Sequence, residues 1–358
     1  MIILNLLLTL LAAIIGALIA KKIKLPAPFM LGAMLGVAIY NVFTARGSMP
    51  SGVKFFTQSL SAIFIALSIT KKDLANMKYL LRPGIILVGG FMIFTMTVGL
   101  ILNRIFKFDI ATSFLLCIPG GIVETSLMAY DFGADSSIVS FVQSFRLFTV
   151  YAAFPLIISA VSKKVKDSDA EEMVMVDEKK KDVYPLDKLI PDNDWIKKIA
   201  TVIVALIGGY IGKVSGLPAG VLSIAMIAVI IFNFNSHRAL FPRDYKKYVQ
   251  IVAGSLIGSG IGMDTMIKLP SLILPTIVLM ACYIGFNFIA SFLMSRTKKI
   301  GFISSMFASS PGGASDMALI ASELGGESPK IAILQVLRLI SVYTIFPFWV
   351  KFLIAIFK

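Results

Sequence analysis

Two short segments carry the residues whose types and spacing could do chemistry. The first, "IPGGIVETSLMAYDFG" from Ile118 to Gly133, interrupts an apolar run with Pro119, Gly120 and Gly121 and puts Glu124 five residues past the proline. The second, "SPGGASDMALIASELG" from Ser310 to Gly325, holds Pro311, Gly312, Gly313 and, at the same spacing, Asp316. A carboxylate in an apolar segment can hold a cation or a proton. It can equally cap the first turn of the helix that follows, and the two roles are compatible. Downstream, Gln143 and Arg146 stand three apart, as do Gln335 and Arg338, so each pair shares a helix face. With helices starting near Ser136 and Ser328, each arginine lies about ten residues in, roughly 15 Å deep at about 1.5 Å per residue. A guanidinium there either pairs with Glu124 or Asp316 or grips an anion with its planar fork. Thr125, Ser126 and Ser315 add hydroxyls, a weaker signal.

The elements that position these groups are read from hydropathy. The chain has 358 residues, 57% hydrophobic and only 15% charged, and its mean hydropathy is +0.87. Apolar runs near the length that crosses a bilayer, roughly 17 to 25 residues, recur. They are Ile2–Ala20, Phe29–Ala45, Pro83–Leu102, Ile199–Ile211, Val221–Phe234 and Leu272–Leu293. The first reads as a retained span and not a signal peptide, because it has no basic lead and no small-residue cleavage site. The net charge of +14 does not indicate nucleic acid, since Lys and Arg gather in short loops between spans, as membrane orientation requires. Cys117 and Cys282 lie in apolar spans and form no disulfide framework. The single histidine, His237, sits in a basic loop, which argues against a metal oxygenase built on imidazole. Asp131, Asp135, Glu323 and Glu327 read as solvated loop acids, and Asp264 as the end of a short span.

The chain repeats itself at one offset, 192, the distance from Pro119 to Pro311. Gly16, Lys21, Leu25-Pro26-Ala27, Asn41, Gln58, Pro83, Arg104, Gln143, Arg146 and Pro155 all meet their own type that far downstream. The reading is three parts: a first membrane repeat at 1–162, a charged cytoplasmic linker at 163–194 and a second repeat at 195–358. Lysine and arginine placement then sets direction. Assigning the heavy loops to the cytoplasm puts fourteen inside (Lys21, Lys22, Lys24, Lys71, Lys72, Lys78, Arg82, Arg238, Arg243, Lys246, Lys247, Arg296, Lys298, Lys299) and six outside. The heavy loops alternate oppositely in the two copies, so the repeats are inverted, with both termini outside. That needs an odd number of crossings per repeat. The expected fold is therefore an all-α polytopic membrane protein, two inverted repeats of about five transmembrane helices plus a re-entrant PGG hairpin each. The alternative is a broken helix that crosses. Either way a Pro-Gly-Gly tip cannot bond its backbone as a helix, so it must face protein or a polar cavity.

The paired PGG-x-x-[ED], Gly and Q-x-x-R-L segments resemble the AbrB-duplication membrane protein family over nearly the whole chain. That family carries both an ammonia monooxygenase label and a regulator label. At the level of fold the paired tips are similar to the glutamate:sodium and citrate symporters, although PGGI and PGGA stand where those have GGxG. This resemblance implies a secondary active transporter, of the elevator type, moving a small anionic solute with Na+ or H+. Its substrate-binding set is Gly120, Gly121, Glu124, Thr125, Gln143, Arg146, Gly312, Gly313, Ser315, Asp316, Gln335 and Arg338. A channel-like or regulatory membrane protein is the alternative, and a monooxygenase ranks last. The expected setting is the bacterial cytoplasmic (inner) membrane, with no cofactor beyond a coupling ion. The partners are the bilayer and a small solute or ion, with no nucleic acid; a homodimer is left open.

The orientation is testable without a structure. A single cysteine at Ser168 of the linker, in a cysteine-free background, is expected to resist a membrane-impermeant maleimide in intact cells and to react after permeabilisation. Labelling in intact cells would overturn the inverted arrangement as oriented.

Overall fold

The computed structural model describes residues 2–23, 28–50, 52–162, 193–217, 219–236, 238–261, 263, 267, 269–312, 321 and 326–357. Among these every element is helical. The first half gives α1 (Ile2–Lys22), α2 (Pro28–Thr44), α3 (Gly52–Ala66), α4 (Lys71–Met77), α5 (Leu81–Phe106), α6 (Ile110–Leu116), α7 (Ile122–Asp131) and α8 (Ser136–Ser162). The second gives α9 (Asp194–Val214), α10 (Gly220–Ser236), α11 (Lys246–Ser259), α12 (Ile273–Ser295), α13 (Phe302–Ser309), α14 (Ser328–Thr344) and α15 (Phe346–Phe357). The starts of α1, α2, α5, α6 and α8 recur at α9, α10, α12, α13 and α14 with the sequence offset unchanged. Where α8 runs unbroken, α14 and α15 are bent by 48°. The bend falls just before Pro347, but the matching Pro155 sits within the unbroken α8, so the proline alone does not produce it.

Four helices among the described residues are long and apolar enough to cross a membrane: Leu4–Lys22, Lys71–Phe106, Asp194–Val214 and Pro270–Ser295, with the bent α14–α15 pair as a fifth if it is one span. The second of these corrects a reading. Lys71, Lys72, Lys78 and Arg82 were expected in a loop, yet helix begins at Lys71. Thr70 and Asp73 form a capping box, Thr70 N–H donating to Asp73 Oδ2 at 2.9 Å and Asp73 N–H to Thr70 Oγ1 at 3.1 Å. Two orphan donors are satisfied reciprocally, which lets a lysine-bearing turn continue into α5.

The helices pack as two compact units. One holds α1–α3, α7 with the start of α8, and α9–α11; the other holds α4–α6, the rest of α8 and α12–α15. Each unit thus draws on both halves of the chain, so the expected repeats and the compact bodies divide the sequence differently.

In the first unit, α2 meets α1 and α11 through glycine. Gly16 lies against Gly32 and Gly36, Gly254 against the Met30 carbonyl and Gly258 against the Met34 carbonyl. Small residues let helix backbones approach where no water drives the association. Asn41 Nδ2 then closes the C-terminal end of α11, donating to Ser259 O and Ile261 O, both at 3.1 Å. The turn from α7 to α8 uses Gly133 at φ 65°, a left-handed position that costs glycine nothing. Ala134 N–H donates to Ala129 O at 2.9 Å and Asp135 Oδ1 accepts from Ser137 and Ile138 N–H. A helix stop and a helix start therefore occupy the four residues 132–135.

In the second unit, α5 and α12 meet through rings, Phe91–Phe286 and Phe94–Tyr283, each pair with centroids 4.5 Å apart. Val150, Phe154 and Ile158 of α8 pack with Ile303, Met306 and Phe307 of α13 and with Ile331 of α14.

The glycine contacts make a contrast. Gly254→Leu or Gly258→Leu would drive a side chain into the α2 backbone and is expected to cost about 3 kcal/mol or more. Gly285→Ala in α12, where an added Cβ meets nothing within 4 Å, is expected to be neutral or to stabilise by about 0.5 kcal/mol. Thermal unfolding in detergent reads both, and equal stability of all three variants would refute the close-packing account.

Candidate functional site

The breaks appear where the prolines predict them. Helix α6 ends at Leu116 and α7 starts at Ile122; at about 1.5 Å per residue these seven- and ten-residue helices rise about 10 and 15 Å, too short for a roughly 30 Å core. The carbonyls left between them must find donors inside the protein, and in the second unit they do. Arg146 is 2% exposed. Its Nη1 donates to Ile118 O at 2.8 Å and its Nη2 to Gly120 O at 2.5 Å. Tyr283 Oη donates to Cys117 O at 2.9 Å. One planar fork therefore straddles Pro119, taking the carbonyl on each side.

The second break repeats this atom for atom. Arg338 Nη1 donates to Ser310 O at 2.5 Å and Nη2 to Gly312 O at 2.6 Å, the carbonyls on either side of Pro311. More donors join it here. Gln335 Nε2 reaches Phe307 O at 2.8 Å and Ser310 O at 3.3 Å, and Asn287 Nδ2 reaches Met306 O and Ser309 Oγ, both at 2.8 Å. Each arginine also opposes the partial negative charge at the C-terminal end of a half-helix, and Tyr283 lies close enough to feel the charge of both.

Arg146 thus differs from the structural alternative that pairs it with a carboxylate. Its partners are main-chain oxygens, which have no letter in the sequence. Gly120, Arg146, Gly312, Gln335 and Arg338 are brought together around the breaks within the second unit. Gly121, Glu124, Thr125 and Gln143 belong to the first unit, on α7 and the start of α8. Gly313, Ser315 and Asp316 lie outside the described residues, as do Glu323, His237, Asp264 and linker residues 163–192.

In the first unit Gly121 is the N-cap of α7, and no side chain caps the helix there. Glu124 is the third residue of the helix, half-buried, its carboxylate folded toward its own main-chain N–H and attracted by Lys246 of α11. Thr125 Oγ1 donates to Gly121 O and Ser126 Oγ to Ile122 O, both at 2.6 Å; Ser140 Oγ donates to Ser126 Oγ at 2.6 Å. The hydroxyl protons are therefore engaged locally, and what these side chains still offer is oxygen lone pairs.

Three acids read as solvated loop acids also have partners, Asp131 while remaining exposed. Asp131 pairs with Lys54 at 2.6 Å and accepts from Gln58 Nε2 at 2.9 Å. Asp135 caps α8, and Glu327 pairs with the buried Lys330 at 2.6 Å. Tyr283 and Asn287 were not singled out from the sequence, although a lone asparagine within an apolar span was a legible signal. Their counterparts at the offset are Phe91 and Thr95.

An all-helical chain with several membrane-length apolar helices, broken twice at matched positions and stitched by buried arginines, is a polytopic membrane protein. It belongs to the AbrB family: the family model described as "Transition state regulatory protein AbrB" matches residues 29–354. Among similar proteins is one of Escherichia coli K12 named "Putative regulator AbrB", 26% identical over 341 residues that cover 92% of this chain and 91% of that one. Another is YhjN of Bacillus subtilis 168, 24% identical over 271 residues, 74% of this chain and 68% of that one.

The fork geometry predicts a ranked cost. Arg146→Gln is expected to lose about 3 kcal/mol of stability, because charged hydrogen bonds to two buried carbonyls are removed, each worth about 1.5–3 kcal/mol. Arg146→Lys should recover part of that, since a point charge cannot reach both oxygens at once. Unfolding midpoints measured without ligand check the order; equal midpoints for all three proteins would sink it.

Proposed function

We propose that the chain is a secondary active transporter for a small anionic solute, coupled to Na+ or H+, and that no bond is made or broken in the substrate. The observation that carries the reading is the pair of helix breaks, each held open by an arginine fork at the same register. Structure that maintains two costly interruptions at equivalent places suits a carrier built from inverted repeats with discontinuous helices. In this reading the tips are re-entrant, the repeats inverted and the linker cytoplasmic.

The roles follow from which donors are engaged. Arg146 and Arg338 hold the tips and do not carry the substrate on the atoms that face the carbonyls. The anion is met by main-chain N–H groups at the start of α7, after Gly121, where a helix N-terminus favours negative charge. Glu124 stands beside them. Its carboxylate repels an anion until a proton or Na+ neutralises it, which ties the two binding events together. Gly313 and Asp316 take the matching roles in the second repeat. The regulator name of the Escherichia coli relative fits an indirect effect, through the level of the transported solute.

A thermal-shift screen of purified protein against small mono- and dicarboxylates, with and without Na+ and at two pH values, tests this. At least one anion is expected to raise the melting temperature, more so with the coupling ion present. Glu124→Gln should keep anion binding and lose its dependence on that ion, and Gly120→Val should abolish uptake into proteoliposomes while leaving a monodisperse protein. Ion-independent binding by the wild type would refute the coupling role of Glu124.

A further inference from the structure

The segment joining α10 to α11 is held firmly for a surface turn. Arg238 N–H donates to Ser236 Oγ at 3.2 Å, Leu240 N–H to Thr201 Oγ1 of α9 at 2.9 Å, and Tyr245 N–H to Pro242 O at 3.1 Å. Phe241 sets its ring 5.2 Å from Phe64 of α3 and 5.3 Å from Tyr245, which lies 6.4 Å from Tyr248. Tyr245 and Tyr248 are nonetheless 36% and 56% exposed. Arg243 and Lys246 are exposed beside them, and Lys247 lies 5.1 Å from the Tyr248 ring centroid. Between Arg238 and Tyr248 the only acid is Asp244.

The other repeat shows what this turn looks like without those features. At the same offset Arg243, Tyr245, Lys247 and Tyr248 correspond to Ser51, Val53, Phe55 and Phe56. Lys54, the counterpart of Lys246, is already paired with Asp131. The matching turn in the first half is neither basic at these positions nor tyrosine-bearing, so these residues are particular to the second half. Tyrosines with one apolar end and one wet end favour the membrane–water interface. Arginine and lysine beside them complement a phosphodiester.

We propose that the turn from Phe241 to Tyr248 is a docking site for the phosphate headgroup of an anionic membrane lipid, with Arg243 and Lys247 as the phosphate contacts and Tyr245 and Tyr248 as the interfacial anchors. Lys246 is also drawn toward Glu124, so it stays unchanged in the test. The full chain is placed in nanodiscs of phosphatidylcholine alone or mixed with phosphatidylglycerol, and its melting temperature and retained lipid are measured. Phosphatidylglycerol is expected to raise the melting temperature of the wild type and to be retained preferentially, both effects fading at high salt. Arg243→Gln/Lys247→Gln should lower the apparent affinity for phosphatidylglycerol roughly twenty-fivefold, at about fivefold per basic side chain near an anionic surface, with no change in neutral lipid. Tyr245→Ala/Tyr248→Ala should weaken retention while preserving its salt dependence. Undiminished retention by the charge variant overturns the proposal. So does an equal loss of stability in neutral lipid, which would mark a structural role, or an equal gain from inorganic phosphate without anionic lipid, which would mark a free-anion site.

Discussion

A carbonyl oxygen at membrane depth must be given a donor, and much of this molecule is arranged around that requirement at two points. Pro119 and Pro311 cannot supply an N–H to the preceding turn, so the chain around each leaves oxygens facing inward with no helical partner. A guanidinium is suited to the gap because its two terminal nitrogens lie in one plane, a short distance apart, and reach the oxygens on both sides of a proline at 2.5–2.8 Å. The position of the arginine follows. It must lie some way into the helix after the turn, so that the guanidinium arrives beside the break, and this fixes the register of α8 and α14. The same placement brings a full positive charge to the end of a half-helix whose dipole is negative. Geometry and electrostatics therefore select the same residue.

The two breaks share this lock and differ around it. At the first, Cys117 O accepts from Tyr283 Oη, and Thr95 approaches the same oxygen only at 3.5 Å. At the second, Asn287 donates twice and Ser309 exchanges a hydrogen bond with Ser291 at 3.1 Å. Cys117 and Ser309 are counterparts, as are Thr95 and Asn287. The second repeat has the stronger hydrogen-bonding residue in both cases. It also buries a lysine, Lys330, where the first has Ile138. A buried lysine is tolerated only with a partner in place, and Glu327 supplies one at 2.6 Å. The two halves of the chain thus share the arginine fork and differ in the polar residues around it.

Much of the fold was legible from hydropathy and the repeat. The offset located the matching helix starts, and the helices bearing Arg146 and Arg338 begin at Ser136 and Ser328, as their spacing suggested. The errors have a common origin. Lysines at 71–82 suggested a loop because charge was weighed more heavily than the Thr70–Asp73 capping signature, which was also present. For Asp131, Asp135 and Glu327 the sequence shows an acid but not the Lys54, helix N-terminus or Lys330 that meets it. Glu124 attracted attention as a partner for Arg146 because both letters are charged; the oxygens that Arg146 uses belong to the backbone of Ile118 and Gly120. The composition of the compact units was hidden for a related reason. Apolar periodicity says that a helix is buried or lipid-facing, but the glycine contacts of Gly254 with α2 depend on which helices are neighbours.

The forks also restrict how an anion can be recognised. If a substrate drew Arg146 away from Ile118 and Gly120, it would leave two buried oxygens without donors, a loss of the same order as the contact it gained. A substrate gains most from donors that hold nothing else. At α7 the first turn receives no side-chain cap from Gly121, although the Glu124 carboxylate folds back toward its own N–H. In the second unit Gln335 shows the opposite polarity: its Nε2 is committed to carbonyls, while its Oε1 is buried with no hydrogen-bond partner among the described residues. An unpartnered buried acceptor attracts a cation or a donor, whereas a helix N-terminus without a side-chain cap favours an anion.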